Sequence, residues 1–216
     1  MNEYDRIQEL IQGYKRFRSM YFESKNTLYR TLSTEGQTPK ILIIACCDSR
    51  VDPALLLDCS PGDLFVIRNV ANLVPPCEYD QGYHGVSAAL EFAVCGLNIT
   101  HIIVLGHTQC GGIRALFEKE SYNTNQFISK WMKIAHKAYK STKALFQDVQ
   151  NKSISEQQIN VCAQKSIIQS LENLTTFPWI SKRLSQQNLF LHGWFFDISK
   201  GILHAYQTTD KAFQPL

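Results

Sequence analysis

Two short apolar runs, "ILIIA" (residues 41–45) and "HIIVLGH" (101–107), constrain the fold of this chain more than any other feature. Each is apolar at almost every position and too short for an ordinary helix. Such a run, bounded by polar residues, is what a strand buried on both faces of a parallel sheet requires. Helical spacing lies between and after them: 87–97, 110–118, 125–147 and 155–174 read as helices. "LFVIR", after the turn "SPGD", reads as another strand, and Pro53 starts a short helix. Near the end "LFLHGWFFDI" and "GILHAYQ" alternate as strands joined at "SKG". At the other end, residues 3–33 place Ile7, Leu10, Ile11, Tyr14 and Phe17 on one helical face, and Gly36 and Pro39 end the pattern. Strands alternating with helices predict an α/β fold: a mainly parallel central sheet flanked by helices, with an antiparallel edge and an N-terminal helical arm. The strand order does not follow from the pattern.

Both buried runs end in reactive side chains, "ACCDSR" and "LGHTQCGG". Open α/β sheets bind ligands outside the carboxyl ends of their strands. Side chains alternate along a strand, so Cys46 and Asp48 point one way, and Cys47 is expected to pack behind them as a small apolar residue. His107 and Cys110 stand three apart where a strand turns into a helix, whose N-terminus favours a thiolate. Gly106, Gly111 and Gly112 allow the backbone to bend tightly there. Two thiolates, an imidazole and a carboxylate or water suit zinc, and three protein ligands with an exchangeable fourth position is the catalytic arrangement. Arg50 can pair bidentately with Asp48, orienting it or drawing it off the metal. A single strand-end histidine or buried cysteine is ordinarily a packing residue; two such elements, each followed by a charged or Gly-rich turn, favour a site.

Composition removes several other classes. The 216 residues are 44% apolar and 19% charged, enough for a substantial core and unlike a disordered chain. The net charge of +3 is small and Lys and Arg look scattered, which predicts neither a nucleic-acid nor a membrane partner. No apolar stretch approaches a membrane span, and the first residues lack the apolar region of a signal peptide. Seven cysteines, irregularly spaced, argue against a disulfide framework and for a cytoplasmic location. "HGWFFDI" reads as core and interface packing, and "FISKWMKIAHKAYK" as an amphipathic surface helix with a solvated His136.

The pair "CxDSR" (Cys46, Asp48, Arg50) and "GHxxCGG" (Gly106 to Gly112), with "PGDLFVIRNVAN" and "GVSAALEFAV", resembles the signature of the β-class carbonic anhydrases over roughly Gln37 to Tyr206. The resemblance implies a zinc enzyme that interconverts carbon dioxide and bicarbonate by attack of zinc-bound hydroxide. It implies that residues 1–36 form a helical arm embracing a partner and residues 37–216 an α/β zinc-enzyme domain, in a homodimer whose dimers can associate further. One Zn2+ per subunit would be held by Cys46, His107 and Cys110. Asp48 would be a fourth ligand only in a closed resting state, and otherwise, paired with Arg50, would accept a hydrogen bond from the hydroxide. Gln37 would reach into the partner's site and donate to the substrate oxygen. Phe65, Val70 and Phe92 would form the apolar substrate pocket, Phe92 standing where many members have Tyr. The sequence identifies no proton shuttle, and His84 in "QGYHG" is a weak candidate for one.

One branch of that family has an inhibitory bicarbonate site made from Trp, Arg and Tyr. Here Arg68 is retained, but Ile43 and Phe196 occupy the other two positions. The expectation is a chain without that site, closer to the plant-type branch and with an accessible zinc; "VPP" at 74–76 agrees. A carbon disulfide or carbonyl sulfide hydrolase would carry the same ligand motifs. A non-catalytic zinc or thiol sensor is the reading from a different class, but structural zinc usually has four protein ligands and only three are firm here. A phosphatase-like cysteine fails because neither Cys46 nor Cys110 is followed six residues later by Arg.

Overall fold

The computed structural model describes residues 3–118, 126–146 and 154–216. The chain opens with α1 (Glu3–Arg18), widens into a π-helical turn (Ser19–Glu23) and continues as α2 (Leu28–Glu35). Next come β1 (Ile41–Cys46), α3 (Pro53–Leu56), β2 (Leu64–Asn69), α4 (Gly85–Glu91) with a π-helical turn at Phe92–Gly96, β3 (His101–His107) and α5 (Gly111–Ala115). The remainder is α6 (Gln126–Met132), α7 (His136–Leu145), α8 (Glu156–Leu174), α9 (Pro178–Ser185), β4 (Phe190–Asp197), β5 (Ile202–Gln207) and β6 (Ala212–Pro215).

The strands form one sheet in the order β2-β1-β3-β4-β5-β6. The first four are parallel, and β5 and β6 add an antiparallel edge. This is the expected α/β class, with the two unbroken apolar runs at its centre. One face carries the larger core: Leu42, Ile44, Ile102 and Val104 pack with Leu90, Val94, Ile113, Ile159, Ile167 and Ile180 from the helices. The other face is thinner, with Ile43, Ala45, Val51, Ile103 and Leu105 buried and Trp194, Phe196 and Leu203 half-buried around them. Gly106 lets α8 seat closely on β3, since a Cβ there would stand 2.8 Å from Ile167 Cδ1.

Several sequence expectations need correcting. Residues 3–33 are not one helix: the Ser24 and Asn26 side chains accept from the Asn26 and Leu28 amides and offer the backbone an alternative to the helix. The aromatic rings of Phe17, Tyr21, Phe22 and Tyr29 then pack among themselves, while the stripe Ile7, Leu10, Ile11, Tyr14 faces outward, Leu10 being 70% exposed. The helix predicted at 125–147 breaks into α6 and α7 around a 3-10 turn, its end positions 125 and 147 lying outside the described residues. Lysines that look scattered in sequence, Lys130, Lys133, Lys137, Lys140 and Lys143, are all exposed along these two helices. His136 is exposed as expected and stacks on Tyr139. The helix expected at 110–118 is only α5, and α9 and β6 were not anticipated, being short and flanked or ended by proline.

Candidate metal centre

Strands β1 and β3 are parallel neighbours with Ala45 opposite Leu105, so their carboxyl ends finish side by side. This brings the ligand atoms of Cys46, His107 and Cys110 within 4.8 Å of one another, although Cys46 and Cys110 are 64 residues apart in sequence. The three are 5%, 0% and 1% exposed, and the two sulfurs lie 4.0 Å apart. His107 Nδ1 stands 2.8 Å from the Thr108 carbonyl oxygen, which can only accept, so Nδ1 carries the proton. Nε2 is thereby left with a lone pair, and it is buried without a hydrogen-bond partner among the described residues. An orphaned imidazole nitrogen facing two buried sulfurs is a costly arrangement unless a cation satisfies all three. The hydrogen bond between the two sulfurs draws the Cys46 thiol well down, while the same bond and burial push Cys110 up. A dication would stabilise both thiolates. The donor set, two sulfurs and one neutral imidazole, fits zinc.

Asp48 stands at the open side of this group, its Oδ2 3.9 Å from His107 Nε2. Arg50 grips it with a two-pronged pair, Nε to Oδ1 at 3.0 Å and NH2 to Oδ2 at 2.8 Å, and its backbone amide donates to Oδ1 as well. These donors hold the Asp48 carboxyl well below the usual carboxylate range. Cys47 departs from expectation. It is exposed rather than packed behind the strand, because β1 stops at Cys46 and only its backbone amide still bonds to β2, at Asn69 O.

Three residues brace the site through contacts that no spacing in the sequence signals. Arg68 donates to the carbonyls of Cys46, Asp48 and Val51 and to Asp52, whose other oxygen caps α3. Thr108 is tied to β4 and to the residue just after it, its amide bonding to Phe196 O and its hydroxyl accepting from the Ile198 amide. Gln109 receives a hydrogen bond from Arg50 and gives one from its backbone to Asn160 on α8. Gly112 is the one visible signal: a Cβ there would meet Val70 Cγ1 at 2.7 Å, so glycine allows the turn after Cys110 to press on residue 70. The Val70 carbonyl is in turn held by the Trp131 indole at 2.8 Å.

The other expected site residues fall at various places. Phe65 and Phe92 face each other with ring centroids 5.9 Å apart, Phe92 remaining 52% exposed. Gln37 is exposed in the segment before β1. His84 pairs with Asp80. Ile43 is fully buried and Phe196 half-buried, both on the thinner face of the sheet.

The family model described as "Carbonic anhydrase" matches residues 41–203. The chain is 39% identical to "Beta carbonic anhydrase 5, chloroplastic" of Arabidopsis thaliana, over 91% of this chain and 63% of that protein. It is 40% identical to a carbonic anhydrase of Synechocystis sp., over 93% of this chain and 71% of that one. The chain thus spans somewhat under two thirds of the Arabidopsis relative, 63%. Among solved structures, that of the β-carbonic anhydrase CcaA matches with a TM-score of 0.85 at 39% identity, covering 98% of this chain and 100% of that one.

Proposed function

The chain belongs to the carbonic anhydrase family, and on that premise we propose that it interconverts carbon dioxide and bicarbonate with one zinc ion per subunit. The observation that carries the reading is the buried Cys46–His107–Cys110 group, with its orphaned Nε2, beside an ionised Asp48 clamped by Arg50. Bound there, zinc would supply a Lewis acid able to bring the pKa of water to about 7. Cys46, His107 and Cys110 would hold the ion. Asp48 accepts a hydrogen bond from the attacking water and so aims its lone pair at the substrate carbon, and Arg50 keeps Asp48 ionised and turned to that task. Phe65, Val70 and Phe92 give an uncharged, apolar substrate a surface that makes no demand for polar partners. Gln37 donates to the oxygen that gains charge, acting in the site of a second copy.

The second copy is part of the proposal. The outward stripe Ile7, Leu10, Ile11, Tyr14 and the thin face of the sheet support a homodimer in which residues 1–36 are the arm and 37–216 the catalytic domain, with further association of dimers allowed. Arg68 is supported as a brace rather than a bicarbonate receptor, because its donors are engaged with Cys46, Asp48, Val51 and Asp52 and no Trp or Tyr stands at 43 or 196. Seven unpaired cysteines agree with the cytoplasm, and among the described residues no helix is long and apolar enough to cross a membrane. Neither the sulfur-compound hydrolase nor the sensor gains support from the relatives.

The test is stopped-flow hydration of carbon dioxide by the zinc-loaded protein between about pH 7 and 9, with Cys110→Ser and its zinc content as control. Activity lost together with the metal is expected. A zinc-loaded wild type inactive throughout that range sinks the proposal.

A further inference from the structure

We infer that Gln109 is a positioning residue: backed by Asn160, it holds the Arg50 guanidinium on Asp48 and so keeps Asp48 from turning to the metal position. The inference rests on the roles given to Asp48 and Arg50 above. Position 109 is one of the two open places in "GHxxCGG", so the motif itself assigns it nothing.

Arg50 is gripped from two sides. Its Nε and NH2 serve the Asp48 carboxylate, while NH1 donates to Gln109 Oε1 at 3.3 Å and NH2 also reaches the Gln109 carbonyl at 3.4 Å. The guanidinium is planar with five donors in a fixed fork, so a second holder on the opposite edge fixes its orientation in a way that Asp48 alone does not. That matters because the Arg50 side chain is 46% exposed and has water as an alternative partner.

Gln109 is itself held in an unusual state. Its φ is +58°, a left-handed conformation that glycine adopts without strain and that few other residues enter. Three glycines, Gly106, Gly111 and Gly112, already stand in this segment, yet position 109 carries a long side chain with an acceptor at its tip. Asn160 Oδ1 accepts the Gln109 amide at 3.1 Å and locks the conformation. Asn160 lies between Ile159 and Cys162, whose side chains are fully buried, on a helix whose N-terminus is closed by a capping box at Ser155. A continuous set of contacts therefore runs from α8 through Asn160, Gln109 and Arg50 to Asp48, which ends 3.9 Å from His107 Nε2. Asp48 has two exclusive uses, as partner of Arg50 or as a ligand that blocks the fourth position. Gln109 biases it to the first.

Gln109→Met keeps the side-chain length and removes the acceptor. Crystals of the zinc-loaded variant are expected to show Arg50 displaced from Asp48 and an Asp48 oxygen at ligand distance, about 2.0–2.2 Å from zinc. Its kcat/KM should fall about tenfold with zinc content unchanged. Asn160→Ala should reproduce the loss, and Asn160→Asp, which keeps an acceptor, should stay within about twofold of wild type. An intact Asp48–Arg50 pair in the Gln109→Met crystals overturns the inference, as does an Asn160→Asp variant as impaired as Asn160→Ala. The crystal distance is read without turnover, so it decides the matter even if the wild type proves inactive toward carbon dioxide.

Discussion

The two strand ends that meet at the candidate metal centre are held in different ways. The β3 end is enclosed: His107 is fully buried, Thr108 is stitched to β4 and the residue just after it by two hydrogen bonds, and Gly112 presses on Val70. The β1 end opens to solvent after Cys46, with Cys47 exposed and Arg50 half in water, and three of its carbonyls accept from the single guanidinium of Arg68. One end is rigid through many small contacts, and the other through one large one. The difference divides the labour. A fixed imidazole and sulfur come from the closed end, while the open end pairs a fixed sulfur with the Asp48 carboxylate, held by Arg50.

If that contrast is right, His107→Ala should do the most damage. Removing a buried donor from a three-donor set is expected to cost zinc occupancy and about 10³-fold or more in hydration rate, read by metal analysis and stopped flow. Asp48→Asn should keep its zinc, and equal metal loss in both would erase the distinction between the ends.

Arg68→Met is expected to be next. It removes the guanidinium from the carbonyls of Cys46, Asp48 and Val51, leaving Asp48 O only the Val51 amide, and should destabilise the fold by about 2–4 kcal/mol in urea unfolding, with zinc binding weakened in step. A cost below about 0.5 kcal/mol would mean that the open end has holders other than Arg68.

Gly112→Ala tests the closed end by overpacking. A Cβ at 2.7 Å from Val70 Cγ1 and 3.1 Å from Ala71 Cβ should cost about 1–3 kcal/mol, because neither neighbour is the tip of a long flexible chain.

The smallest effect concerns acid. Asp197, at the end of β4, accepts from the Ser199 hydroxyl and from the Ser199 and Lys200 amides, and these bonds hold its carboxyl below the usual range. A carboxyl whose folded pKa is depressed contributes stability above its unfolded value, about 3.9, and loses that contribution as the pH falls through the folded value. Asp197→Asn should therefore narrow the stability gap between about pH 3 and pH 6. Urea midpoints at the two pH values measure it, and an unchanged gap would mean that the bonds to Asp197 add nothing to the stability of the β4 end.

How much of this could be read beforehand depended on whether the cause was local. "ILIIA" and "HIIVLGH" announce buried strands because burial on both faces leaves no polar position, and Cys46, His107 and Cys110 follow from where those runs end. Cys47 was misjudged because alternation applies only while the sheet continues, and β1 ends one residue earlier. The contacts by which Arg68, Thr108 and Asn160 brace the site could not be found, since the residues they join are 16 or more apart and follow no spacing rule. The break in the N-terminal helix lay in Ser24 and Asn26, two side chains whose competition with the backbone is weak enough to go unnoticed beside an apolar periodicity.

The parallel pairing of β1 with β3 has a consequence for how the protein matures. Cys46 is made early, but its sulfur has no companion until the chain has continued past Cys110 and the two strands have joined across that 64-residue separation. Parallel strands so far apart pair slowly, because the loop must close before any contact rewards it. A ribosome-bound or half-folded chain therefore offers loose thiols but no assembled metal site. An ion held by all three side chains would therefore be taken up only after the sheet has closed.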